Sequence, residues 1–155
     1  MRKSSKLPFL VLLSTFLFNI LIVGSTIVMH ESGHYITAIA AGCKKIRLVF
    51  LDSEVGTYTE MSCPTEQPPY FATVGALFFT VPFALGFLLL RFMPERNIFW
   101  ISLGFNFTIM VLDIPEIMFL RPLSFAAGLI LFTLGEVWLI DSLFEYIGKE
   151  EGLVI

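Results

Sequence analysis

Charged residues are scarce in this sequence: they make up 15% of its 155 residues, against about 25% in an average soluble domain. The lysines and arginines form no run of the kind that binds phosphate backbones, so we expect no nucleic-acid partner. Histidine is scarcer still, because the chain has only two, His30 and His34, within five consecutive residues. A rare and reactive residue type concentrated in this way indicates a functional site.

Cysteine is almost absent. Cys43 and Cys63 are the two in the chain, and they lie twenty residues apart in a polar segment. Neither belongs to a recognisable metal-binding or redox spacing motif. We therefore favour two free thiols, while a disulfide between them stays open if this segment faces an oxidising compartment.

Hydrophobic residues are abundant, at 56% of the chain, and the mean hydropathy is +0.83. A helix needs roughly 20 apolar residues to cross a hydrocarbon core of about 30 Å, so the chain has room for about four crossings and little else. We predict an all-α, multi-pass integral membrane protein, a single domain of residues 1–155, with a short β-hairpin after the first helix. The four transmembrane helices are expected at residues 7–41, 70–90, 98–120 and 123–146.

The first predicted span begins with basic residues followed by an apolar block, as a signal peptide does. The apolar block continues as far as Ala41, so we expect it to be retained as a membrane span. At 1.5 Å per residue such a helix is too long for one perpendicular crossing. It must tilt, protrude or break, and the Gly24-Ser25 pair is the favoured place for a break.

The segment of residues 43–69 is the one sizeable polar part of the chain. Residues 46–50 and 55–59 are rich in β-branched and aromatic side chains and are separated by LDSE, which predicts a hairpin. A hairpin this short is only marginally stable by itself, so we expect it to pack against the membrane or against the helices. For four crossings the basic residues divide six to four between the two faces, which leaves the topology open.

The histidines belong to the sequence HESGH, His30 to His34. Positions i and i+4 lie on one face of a helix, so both imidazoles can bind a single metal ion. Glu31 is rotated by about 100° and lies beside that ion. This is the arrangement of a hydrolytic zinc site, in which the metal activates water and the carboxylate acts as general base. An ionisable residue inside a membrane span is itself an indication of function.

A tetrahedral catalytic zinc site needs a third protein ligand. Asp113 is favoured, because Pro115 loosens the helix beside it and irregular backbone at membrane depth is tolerated where it lines a cavity. Glu116 is the main alternative, and Glu136 and Asp141 are further carboxylates at membrane depth.

Asn106 lies seven residues before Asp113, two helical turns away, so both share a face. Its amide is a candidate donor to a substrate carbonyl or to the oxyanion formed during attack. An interhelical hydrogen bond is an equally good interpretation of this residue.

Three stretches, MHESGHYITAIAAGCKKIRLVF, ATVGALFFTVPFALGFLLL and NFTIMVLDIPE, together resemble the site-2 protease group of intramembrane zinc metalloproteases in a minimal form. The resemblance implies zinc ligation by His30, His34 and Asp113, Glu31 as general base, and Asn106 as a substrate-positioning group. It also implies that the hairpin binds an unwound substrate by adding a strand. If the site lies near the face bearing KKIR, that face would be cytosolic by charge and by family habit, and the basic amino terminus would then lie outside, against the same charge rule.

We therefore expect a zinc metalloendopeptidase, with one Zn²⁺ per chain, that hydrolyses peptide bonds of a transmembrane or membrane-embedded protein. Glu31 would act as general base for the zinc-bound water. Two alternatives remain: a non-catalytic metal-binding homologue that binds client helices, and a small transporter. The presence of Glu31 favours the enzyme over a structural metal site, and the clustering of polar residues at one depth argues against a transport pathway.

Overall fold

The computed structural model describes residues 6–54, 56–65, 71–89, 96–114 and 119–150. The described chain is mostly helical, with an antiparallel two-stranded hairpin directly after the first helix, which confirms the predicted order of elements. The elements are α1 (Leu7–Ala40), β1 (Lys44–Asp52), β2 (Gly56–Ser62), α2 (Phe71–Leu89), α3 (Arg96–Ile109), a 3-10 turn (Met110–Leu112) and α4 (Leu120–Glu150).

Helix α1 is continuous over 34 residues, so of the three alternatives given by its length, a break at Gly24-Ser25 does not occur. A β-carbon added at Gly24 would meet no described atom within 4 Å, which places this glycine on an open face of the helix. Without water to compete for them, backbone hydrogen bonds in lipid stay within the helix even at glycine. At 1.5 Å per residue α1 is about 51 Å long, so to cross a bilayer it would have to tilt or protrude.

Two helices of the described chain, α1 and α4, are long and apolar enough to cross a membrane. Only 11% and 22% of their most apolar windows are buried, whereas the core helix of a soluble protein is mostly buried. Large apolar side chains such as Leu12 and Ile130 are 69% and 60% exposed, as lipid-facing residues are. By length and composition, two helices of the described chain could cross a membrane, and the predicted four crossings are not supported.

The third predicted span, residues 98–120, is shorter as a helix than expected. Helix α3 has 14 residues, below the roughly 20 needed for a crossing. The backbone then tightens into a 3-10 turn, and the amide of Asp113 donates to the carbonyl of Met110 at 2.9 Å. Pro115 follows Ile114 in the sequence and disfavours helical backbone at that residue, so a regular helix is not expected to continue past it.

Small residues let α3 and α4 pack closely in antiparallel directions. A β-carbon at Gly104 would lie 2.7 Å from the Cα of Phe132, and one at Gly135 would lie 2.8 Å from the backbone nitrogen of Ile101. Ile101 is fully buried and joins Ile22 of α1 in one apolar cluster. Close approach of this kind is how helices associate where lipid removes the hydrophobic drive between them.

The hairpin is closed by a disulfide between Cys43 and Cys63, so the expectation of free thiols is wrong. Strand pairing of Lys44 with Ser62 brings the two cysteines side by side, with their Cα atoms 4.0 Å apart. Spacing along the sequence did not reveal this pairing, because it depends on the register of the hairpin. Residue 55, at the predicted start of the second strand, lies outside the described residues.

Candidate metal centre

Helix α1 presents both histidines of the HESGH motif on its buried face. The Nε2 atoms of His30 and His34 are 3.2 Å apart. The carboxylate of Asp113 meets both rings, with Oδ2 2.9 Å from His30 Nε2 and Oδ1 3.4 Å from His34 Nε2. Two ligands about 2.05 Å from a tetrahedral zinc are roughly 3.3 Å apart. These three side chains therefore fit the ligand spacing of a single zinc ion.

Glu31 lies beside this group. Ligand atoms of His30, Glu31 and His34 all lie within 4.8 Å of one another. The hydroxyl of Thr59, on β2, is 2.8 Å from Glu31 Oε2 and 3.0 Å from the Glu31 carbonyl oxygen, so it can donate to either. Between the two nearby carboxylates, Asp113 fits the role of third ligand better because it contacts both imidazoles. Glu31 is held by Thr59 of the hairpin beside the two imidazoles.

Asn106 forms a hydrogen bond with Nδ1 of His30, the ring nitrogen that does not face Asp113. It is fully buried, and its Oδ1 lies 2.9 Å from His30 Nδ1 while its Nδ2 donates to the Thr80 hydroxyl at 2.6 Å. An acceptor at Nδ1 keeps the proton there and leaves the Nε2 lone pair for a metal. The described contacts of Asn106 are thus interhelical hydrogen bonds, the second of the two interpretations given by the sequence, and its role in substrate binding stays a prediction.

The remaining predicted carboxylates are placed differently. Glu136 accepts a hydrogen bond from Asn19 Nδ2 at 3.0 Å and joins α4 to α1. Asp141 is exposed on α4. Glu116, the main alternative third ligand, lies outside the described residues.

Two glycines allow α1 and α2 to touch at the metal centre. A β-carbon on Gly33 would lie 3.3 Å from the Cβ of Phe78 and would overlap the carbonyl oxygen of Gly75. A β-carbon on Gly75 would lie 2.9 Å from the Cα of His34 and would overlap His34 Nδ1. Gly75 carried no sequence signal, because its role depends on helix packing.

We expect Gly75→Ala to displace α2 from α1 and to disturb the His34 ring. Overpacking of this kind costs about 1–3 kcal/mol, so both the melting temperature and the zinc content should fall. The matched control is Gly24→Ala, where a β-carbon meets no described atom within 4 Å. Thermal unfolding in detergent together with metal analysis checks this, and unchanged values for Gly75→Ala would show that the helices do not approach so closely.

The metal centre opens into a cavity of about 590 Å³ between α1, strand β2 and the turn after α3. His30, Glu31, His34 and Asp113 all line it. Residues 56–59 of β2 form the opposite wall. The volume lies within the range of roughly 300–1,000 Å³ found for ligand pockets, so the site has space for a peptide segment as well as water.

No protein-family model, curated protein or solved structure matches this chain. The indication of function is the chemistry of the site: two imidazoles and a carboxylate at the spacing of zinc ligands, with a second carboxylate beside them.

Proposed function

We propose that this protein is an intramembrane zinc metalloprotease of the site-2 protease kind that its sequence resembles. The observation that carries the proposal is the convergence of His30 Nε2, His34 Nε2 and the Asp113 carboxylate on one cavity that also contains Glu31. A structural zinc site is closed by protein ligands, whereas a catalytic site keeps a position open. Three ligands facing a cavity correspond to the catalytic type.

Each polar side chain has a defined task in peptide hydrolysis. Zinc, when bound, acts as a Lewis acid that makes a water molecule more acidic and polarises the scissile carbonyl. Glu31 accepts a proton from the attacking water, whose oxygen forms a bond to the carbonyl carbon. Glu31 then transfers this proton to the leaving nitrogen as the carbon–nitrogen bond breaks. The Thr59 hydroxyl fixes the carboxylate of Glu31 for both proton transfers.

The substrate class follows from where the site lies. Helix α1 carries the site and exposes large apolar side chains over most of its length, which supports a transmembrane or membrane-embedded peptide as the substrate. A helical substrate must unwind first, because its carbonyls are engaged in helix hydrogen bonds. Strand β2 lines the cavity and offers backbone groups to an extended segment, in the manner of strand addition.

The proposal includes four crossings, with α2 and α3 completing the bundle. Helix α2 has 19 residues, and α3 continues into the 3-10 turn before the metal centre. Irregular backbone at membrane depth is tolerated where it lines a cavity, and Leu112 and Asp113 do line one. The short third helix is therefore compatible with a crossing that ends in the site.

Metal analysis of the detergent-purified protein tests the proposal. We expect about one zinc per chain in the wild type and in Glu31→Gln, because Glu31 is not a ligand. His34→Ala and Asp113→Ala should each lose the metal, since a tetrahedral site needs three protein ligands. Asp141→Ala removes an exposed carboxylate and serves as the matched control.

Wild-type protein that holds no zinc after metal is supplied would overturn the protease proposal. Loss of zinc in Glu116→Ala, with zinc retained in Asp113→Ala, would instead move the third ligand to Glu116. Zinc binding without cleavage of any membrane-anchored peptide would favour the non-catalytic, client-binding alternative.

A further inference from the structure

The hairpin disulfide lies at the same end of the molecule as the metal centre. Cys43 follows α1 directly, and its amide donates to the carbonyl of Ala38 at 3.0 Å. Cys63 follows β2, the strand whose Thr59 contacts Glu31. Disulfides persist in oxidising compartments and are rare in the cytosol. The bond therefore reports which side of the membrane this end faces.

Contacts between the helices define the two ends of the bundle. At the end that we call the site end, Thr73, near the start of α2, donates to the Asp113 carbonyl at 2.7 Å. Arg121, at the start of α4, donates to the Ile114 carbonyl at 2.8 Å. The start of α2, the end of α3 and the start of α4 therefore meet at the site end, together with the hairpin.

The other helix termini meet at the opposite end, which we call the remote end. A β-carbon on Gly86, late in α2, would lie 2.6 Å from the ring of Phe99, early in α3. Asn97 donates to the hydroxyl of Ser142, late in α4, at 3.2 Å. Helix α1 begins at this end, since it reaches the site near its own carboxyl terminus.

Basic residues divide unequally between these two ends. Cytoplasmic flanks of membrane helices carry an excess of lysine and arginine, while acidic residues contribute little to orientation. By sequence position the remote end has six basic residues and the site end has four. They are Arg2, Lys3, Lys6, Arg91, Arg96 and Lys149 at the remote end, and Lys44, Lys45, Arg47 and Arg121 at the site end.

We propose that the remote end is cytosolic and that the metal centre opens to the oxidising face of the membrane. The excess of basic residues alone left the topology open. The disulfide independently places the site end on the side of the membrane away from the cytosol. This orientation is opposite to the cytosolic placement of KKIR that the resemblance implied, and it also puts the basic amino terminus on the side that the charge rule favours.

The orientation narrows the substrate class, a step that rests on the proposed protease function. His34 lies six residues before the end of α1, or about 9 Å along its axis. The scissile bond is therefore in the half of the membrane nearer the oxidising face. The substrates are membrane-anchored peptides that unwind from their non-cytosolic end, which is the end that meets the hairpin.

Thiol trapping in intact cells tests the disulfide. The full-length protein is expressed in a bacterial host with an oxidising periplasm, free thiols are blocked with a membrane-permeant maleimide, and the denatured protein is treated with a polyethylene-glycol maleimide. We expect no gel shift without reduction and a shift by two adducts when reduction follows the block, since the chain has two cysteines. Blocked thiols in the unreduced cells, with no shift after reduction, would overturn the proposal.

Single-cysteine variants then place each end of the bundle. In a Cys43→Ser, Cys63→Ser background, Ser53→Cys marks the exposed hairpin turn and Glu150→Cys marks the exposed end of α4. A membrane-impermeant maleimide should label the first in intact cells and the second only after permeabilisation. The reverse pattern would overturn the orientation. Neither assay depends on zinc or on cleavage, so its failure leaves the protease proposal standing, and a protein without zinc leaves the orientation standing.

Discussion

Replacing Glu31 with glutamine is expected to lower the rate of peptide hydrolysis by about 10²–10⁴-fold, the range that a positioned general base contributes. Glutamine keeps the size of the side chain and an acceptor for the Thr59 hydroxyl, which lies 2.8 Å from Glu31 Oε2 in the wild type. It cannot take a proton from water. The loss should therefore fall on the chemical step, with zinc content and thermal stability retained.

The measurement is single-turnover cleavage of an unfolded generic substrate such as casein by the zinc-loaded protein in detergent. Products are identified by mass spectrometry, and zinc content is measured on the same samples. Glu54→Gln changes an exposed glutamate of the hairpin turn and is the matched control. Cleavage by Glu31→Gln at the wild-type rate would remove Glu31 from the mechanism, and a parallel loss of zinc would make it a ligand instead.

Sequence patterns located the elements well where they were long and regular. Helix α1 was expected over residues 7–41 and occupies Leu7–Ala40, and both strands of the hairpin lie where β-branched and aromatic residues cluster. These patterns depend on local composition, which one chain shows directly. Whether a helix is interrupted at a particular residue depends instead on what surrounds that residue in the fold. Gly24 does not interrupt α1, which is one continuous helix.

The metal centre was predictable only in part. The spacing of His30 and His34 fixed their common face, and the seven-residue interval from Asn106 to Asp113 brought both to the His30 ring. The supporting residues carried no signal: Thr59 reaches Glu31 through the fold of the hairpin, and Gly75 matters through the approach of α2. Contacts between distant segments are set by packing, and spacing along one chain does not show them.

The contacts of Asn106 give a prediction about zinc affinity. Its Oδ1 is 2.9 Å from His30 Nδ1, and its Nδ2 is fixed by Thr80, so the amide is oriented as an acceptor for the ring proton. Asn106→Leu keeps the branched arrangement of four heavy atoms in the side chain but removes this acceptor. We expect zinc affinity to fall by about 10–100-fold, as for other partners that orient a ligating histidine.

Asn106→Asp separates this positioning role from simple packing. A carboxylate at the same place still accepts from His30 Nδ1 and raises the basicity of the ring, so zinc affinity should stay close to the wild-type value or exceed it. Leucine suits a buried helix contact at least as well as aspartate does. If Asn106 only packs, Asp would therefore be the more harmful change. Competition with a chelator gives the zinc Kd of each variant, and thermal unfolding of the zinc-free proteins reports packing separately. An order of affinity in which Leu equals or exceeds Asp would show that the hydrogen bond to His30 does not position the ligand.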